Sequence, residues 1–161
     1  MEIKNKRVVV TGAASGIGKA LCEAFQEAEA QSIVCVDLNL DGAKETADSV
    51  GSIAVQANVG QEPDIISVIE KANSLSGGID IFCSNAGIGG VPGFFEVEKA
   101  DWQNIWEVNV QSHIFAAKHV LPQMLDRGEG YLMSTASAAG LLTQIGSAGY
   151  SVTKAAAVSF A

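Results

Sequence analysis

The chain has 161 residues, 48% of them hydrophobic and 17% charged, with a formal net charge of −8. That length fits one domain with a real core, and the acidic balance argues against nucleic acid or an anionic membrane as a partner. A charged fraction below the usual value of about 25% points to surface that is covered by association or by further sequence.

The residues Met1-Glu2-Ile3-Lys4 lead straight into a strand pattern and are read as leaving no room for a signal peptide. No uncharged run of about 18 apolar residues is present. Cys22, Cys35 and Cys83 are odd in number, widely spaced and set among apolar neighbours, as buried reduced thiols are. They lack the spacing of a metal site, and the cytoplasm is the expected compartment.

From there strands and helices alternate. Arg7 to Thr11 is predicted as the first strand, ending at glycines. Gly16 to Ala30 is predicted as a helix, with Ile17, Ala20, Leu21, Ala24, Phe25 and Ala28 at helical spacing. Ser32 to Asp37 is the second strand, Asp41 to Val50 a short helix and Ile53 to Ala57 the third strand. Pro63 to Leu75 is a helix with proline in its first turn and Gly77-Gly78 after its end. Ile79 to Ser84 is the fourth strand. Asp101 to Leu125 is one long helix, interrupted near Asn109 and kinked by Pro122. Gly130 to Thr135 is the fifth strand, and a final helix starts at Ser147.

This alternation implies parallel strands with helices on both faces. The apolar strands fit a sheet buried on both sides. The expected fold is α/β, a doubly wound parallel sheet of the Rossmann type, with strands in the order 3-2-1-4-5. Residues 1–161 are read as a single dinucleotide-binding domain, incomplete at its C-terminal end because a sixth strand is wanting.

Three sets of residues carry the chemistry. Thr11-Gly12-Ala13-Ala14-Ser15-Gly16-Ile17-Gly18 joins the first strand to a helix. Glycines there permit a tight turn and let backbone approach a pyrophosphate, which the N–H groups and dipole of the helix N-terminus attract. Asp37 ends the second strand, where a carboxylate hydrogen-bonds the adenosine ribose and repels a 2′-phosphate, so NAD is expected over NADP. Tyr150 and Lys154 lie four apart, on one helix face. A free tyrosine is too weak an acid for base catalysis at neutral pH, and a nearby ammonium favours its phenolate.

Taken together, Thr11–Gly18, Asn85-Ala86-Gly87, Asn109, Ser137 and Tyr150–Lys154 resemble the short-chain dehydrogenase/reductase family, in its order and across almost the whole chain. The resemblance implies that Tyr150 exchanges a proton with the substrate oxygen. Lys154 would assist it and bind the nicotinamide ribose, and Ser137 would orient the substrate oxygen. Asn109 would help to hold a water-linked proton relay behind Lys154. Asn85, Ala86 and Gly87 would support the cofactor bed, as would Asn58 and Val59 after the third strand. Asn58 stands where the family usually has aspartate; an amide oxygen can accept the same bond from adenine.

The implied activity is NAD-dependent interconversion of an alcohol and a carbonyl, on a small-molecule substrate and in a homo-oligomer, dimer or tetramer. Gly89–Phe95 and Leu141–Ile145 are expected to line an apolar substrate site. The resemblance also marks sixth and seventh strands and a lid as missing. On that count the fifth strand is a long apolar edge and the chain alone turns over slowly or not at all. Two alternatives are an NAD-using epimerase or dehydratase, and a non-catalytic fragment that binds nucleotide weakly or only self-associates. His113 and His119 are read as structural or surface residues.

Overall fold

The computed structural model describes residues 2–161. Five parallel strands form one sheet in the order β3-β2-β1-β4-β5. They are β1 (Arg7–Thr11), β2 (Ser32–Asp37), β3 (Ile53–Gln56), β4 (Ile81–Ser84) and β5 (Tyr131–Ser134). The helices between them are α1 (Gly16–Glu27), α2 (Leu40–Ser49), α3 (Glu62–Ser76), α4 (Lys99–Trp106), α5 (Ser112–Arg127) and α6 (Ala148–Phe160).

Alternation of side chains along each strand divides the core in two. Val9, Val34, Val36, Val55 and Phe82 point to one face, where Ile65 and Val68 of α3 and Val120 and Met124 of α5 cover them. Val8, Val10, Ile33, Cys35 and Cys83 point to the other, under Cys22 and Phe25 of α1 and Ala47 of α2. Each fully buried chain of this size contributes about 1.5–3 kcal/mol, which explains why the strands read as unbroken apolar runs.

The chain steps from β1 outward to β2 on one side and to β4 on the other. The loops leaving the C-terminal ends of β1 and β4 therefore diverge and open a crevice between them. Every site residue named above sits at that end of the sheet or on the helices that flank it.

Several boundaries differ from expectation. α1 stops at Glu27 rather than Ala30, because Glu29 adopts a left-handed conformation (φ 59°) and the N–H of Ala30 turns back to Phe25 O at 3.0 Å. β4 begins at Ile81, where pairing with Val8 starts; one residue earlier the Asp80 carboxylate, not a backbone carbonyl, accepts from Arg7 N–H at 3.0 Å. The expected interruption near Asn109 is a π-helical turn, Glu107–Gln111, between α4 and α5. Pro122 lies inside α5, which continues through it to Arg127. β5 is the sheet edge among the described residues, but at four residues it is short rather than long.

Candidate active site

The glycine-rich turn is built around approaches that only glycine allows. Gly12 (φ 71°) lies so near β4's loop that an added Cβ would stand 2.9 Å from Ala86 Cα. At Gly18 an added Cβ would stand 1.9 Å from the Gly12 carbonyl, so α1 can start where it does only without a side chain there. Gly16 (φ 53°) has open space on its Cβ side. Ser15 is extended and makes no capping bond with its side chain, which leaves the first-turn N–H groups of α1 without a side-chain acceptor. Ser15, Gly16, Ile17 and Gly18 line a cavity of about 480 Å³.

Asp37 closes this turn from β2. Its Oδ2 accepts from Ala14 N–H at 3.0 Å and its Oδ1 from Asn39 N–H at 2.9 Å. Each oxygen retains a lone pair for a further donor. Beyond it a smaller pocket of about 160 Å³ is lined by Asp37, Leu38, Ala57, Asn58, Val59 and Val108. Asn58 differs from expectation in one respect. Its amide oxygen already accepts from Gly60 N–H at 3.0 Å and its own N–H donates to Asp64, so much of its capacity goes to shaping the loop.

At the far end of the larger cavity stand Ser137, Tyr150 and Lys154, with Asn85, Ala86 and Gly87 between them and the glycine turn. Lys154 is buried, and desolvation holds its pKa below the ordinary lysine value. Its Nζ donates to Thr135 O at 2.8 Å and lies 5.8 Å from the centre of the Tyr150 ring. Two of its three N–H donors thus have no protein acceptor. Ser137 Oγ accepts from Ala139 N–H at 3.2 Å and caps a 3₁₀ turn, Ala138–Gly140, which leaves its own O–H free to donate.

Asn109 is fully buried and serves as a clamp. Its Oδ1 accepts from Ile88 N–H at 2.9 Å, and its Nδ2 donates to Ile88 O at 2.9 Å and Thr153 Oγ1 at 3.1 Å. The π turn swings this side chain between the loop after β4 and α6, a frequent use of such turns. Asn85 is the matching clamp at the strand ends, donating to Thr11 O at 2.9 Å and accepting from Thr135 Oγ1 at 2.8 Å. Gly87 passes between Asn109 and Lys154, where an added Cβ would stand 3.2 Å from Oδ1 and 3.4 Å from Nζ.

Sequence reasoning gave no role to Thr135, Thr153 or Gly140, and named Thr11 only as the start of the glycine-rich turn. Thr11 Oγ1 accepts from both Asn85 and Ala86 N–H. Gly140 lets the turn after Ser137 settle on α6, where a Cβ would stand 2.6 Å from Lys154 O. A threonine at a strand end was the available signal for Thr11 and Thr135; Thr153 lies inside α6 and Gly140 in the 3₁₀ turn, where no such signal stands. The histidines are structural, as expected: His119 Nε2 bonds Glu62 at 2.8 Å, and buried His113 Nδ1 bonds Ser134 Oγ at 3.1 Å. Burial, and then the charge of Lys154, push His113 down to about 4.

The donor set fits a dinucleotide. Uncapped helix N–H groups and an open glycine suit a pyrophosphate, Asp37 suits ribose hydroxyls, and the spare Lys154 donors suit a second ribose.

A family model described as short chain dehydrogenase matches residues 6–161. The chain is 33% identical over 162 residues to the oxidoreductase YvrD of Bacillus subtilis (strain 168), covering 99% of this chain and 61% of that protein. It is 32% identical over 162 residues to 7alpha-hydroxysteroid dehydrogenase of Escherichia coli (strain K12), covering 98% of this chain and 63% of that protein. It thus spans about three-fifths of the length of these curated relatives. A crystal structure of a short chain dehydrogenase/reductase from Burkholderia phymatum in complex with NAD superimposes with a TM-score of 0.96. That pair is 28% identical, over 99% of this chain and 59% of the other.

Proposed function

The chain belongs to the short-chain dehydrogenase family, and from that premise we propose that it serves NAD-dependent interconversion of an alcohol and a carbonyl. The observation that supports this most is the convergence of Ser137, Tyr150 and Lys154 on the one cavity that the glycine turn also lines. Its relatives are named dehydrogenases and oxidoreductases.

The bound nicotinamide supplies the hydride acceptor or donor. The protein supplies position and a proton route. Ser137 donates its free O–H to the substrate oxygen and fixes the carbonyl carbon toward the cofactor. In reduction the Tyr150 O–H would give its proton to that oxygen, and in oxidation the Tyr150 oxygen would take it back. Lys154, dry and anchored on Thr135, steadies the charge that develops on the Tyr150 oxygen and directs its spare donors to ribose hydroxyls. Asn109 fixes the loop after β4 and, through Thr153, the register of α6, and a water held near it would carry the proton onward. Asp37 receives the adenosine ribose hydroxyls and disfavours a 2′-phosphate, which makes NAD the coenzyme.

The test is a fluorescence titration with NADH, followed by NADH consumption with a panel of ketones. Saturable NADH binding by this chain and stoichiometric formation of alcohol by the full-length protein are expected. Absence of NADH binding contradicts the proposal, and NADP bound as tightly as NAD contradicts the role of Asp37.

A further inference from the structure

Beside the Tyr150 end of the cavity, the chain presents an apolar rim that neither the core nor the cofactor cradle uses. It comes from two loops, residues 85–98 after β4 and 135–147 after β5. Both leave the C-terminal edge of the sheet, the edge at which doubly wound folds take their ligands.

The loops are fastened together. Gly93 N–H donates to Gly146 O at 2.9 Å, and Gly93 forms a bridge with Ser147, one residue before α6 begins. That bridge places Phe94 and Phe95 beside the helix start that carries Tyr150. The two rings meet edge to face with centroids 5.6 Å apart, and they are 64% and 94% exposed. Val91, Leu141, Leu142 and Ile145 are exposed on the same two loops. One exposed apolar chain is ordinary; six on two joined loops next to a reactive hydroxyl form a patch that implies an occupant.

Charge restricts that occupant. The two loops contain no Lys, Arg or His, and their only ionisable residues are Glu96 and Glu98. Glu96 folds back on the bridge, where a Cβ at Gly93 would stand 2.8 Å from Oε2. An anionic group entering here meets a carboxylate and no loop cation, and it loses hydration without compensation.

We propose that the substrate is a neutral, bulky, apolar alcohol or ketone that lies against this rim, with Phe94 and Phe95 setting specificity. Carboxylates, phosphates and thioesters presented on acidic carriers are disfavoured. The proposal rests on the dehydrogenase reading above and deepens it.

The probes are 4-tert-butylcyclohexanone and 4-oxocyclohexanecarboxylate, which share a ring ketone and differ in the group opposite. Each is titrated by ligand-observed NMR into the protein with NAD present, so that no hydride is available. The neutral ketone should bind at least about tenfold tighter. Phe94→Ser with Phe95→Ser should bring the two within about threefold while NADH affinity, which also reports folding, stays unchanged.

Equal or tighter binding of the carboxylate, or a preference that survives the double substitution, overturns the proposal. So does a double variant that dissociates an oligomer in sedimentation yet keeps its ketone affinity, because the rim is then a contact between copies. The dehydrogenase reading is scored separately in the same samples. If NADH binds but is not consumed by a ketone that also binds, that reading fails while the rim's selectivity stands.

Discussion

Lys154 is where the two halves of the site depend on one atom. Its Nζ is anchored on Thr135 O and lies over the Tyr150 ring, and its two other donors are those proposed for a ribose. Lys154→Ala should therefore impair both turnover and NAD affinity, which steady-state kinetics and calorimetry read separately; loss of turnover alone would remove the ribose role. Besides its proposed part in coenzyme choice, Asp37 holds Ala14 and Asn39 N–H. Asp37→Asn removes the charge and keeps an acceptor oxygen. The preference for NAD should fall by about 10- to 100-fold, the size of hydrogen bonds to a charged group, and an unchanged NAD/NADP ratio in paired titrations would count against the assignment. His113 makes a third prediction, about pH. Its folded pKa of about 4 lies below the ordinary 6.5 because of burial and then Lys154. Below about 6.5 the unfolded chain takes up a proton that the folded chain refuses. Stability is therefore full above that pH and is lost as pH falls from about 6.5 toward 4, by up to ~3 kcal/mol. Urea unfolding across that range should show a flatter profile in His113→Asn, and an equal slope would exclude His113 as its source.

The π turn Glu107–Gln111 is the element that couples the two halves of the crevice. It directs Asn109 into three hydrogen bonds, to Ile88 N–H, Ile88 O and Thr153. Asn109→Ala leaves part-buried backbone groups of Ile88 unpaired and should cost about 1–3 kcal/mol of stability in denaturant unfolding. It should also slow turnover, because Ile88 borders the cavity; a change under about 0.5 kcal/mol, the scale of an ordinary surface substitution, would contradict the clamp. Much of this was legible beforehand. β1 and β2 have the bounds that their apolar runs predict, since both strands are buried on both faces. The interruption at Asn109 was legible because a mediocre helix former stands there. The end of α1 was not, because nothing in Ala28-Glu29-Ala30 announces a left-handed residue. Nor was the start of β4, where the Asp80 carboxylate takes up the N–H of Arg7, 73 residues away. In the site, the glycines, Asp37, Tyr150 and Lys154 were legible as a pattern of spacings, and Ser137 only through the family resemblance. The acceptor of Lys154 was not, because it is a backbone carbonyl, and Gly140 was not, because its need arises only where two elements meet.

At the scale of the molecule, the sheet gathers all these groups at one end, while α5 and α6 present apolar residues outward. Ile114, Leu121 and Leu125 of α5 and Val152 and Phe160 of α6 are exposed. The low charged fraction and these two faces support a homo-oligomer, expected to be a dimer or tetramer by light scattering. Leu125→Glu with Phe160→Glu should lower the mass toward that of one chain, whereas a monomer at every concentration before substitution would contradict the expectation. The proposed function rests on a proton handled by Tyr150 beside a nicotinamide cofactor. The most direct measurement is Tyr150→Phe in the full-length protein, read twice: NADH affinity by fluorescence and turnover by NADH consumption. Affinity should stay within about twofold, since only the hydroxyl is lost, while turnover falls by about 10²–10⁴-fold, the size of general acid–base catalysis. Turnover close to that of the unaltered protein would contradict the account.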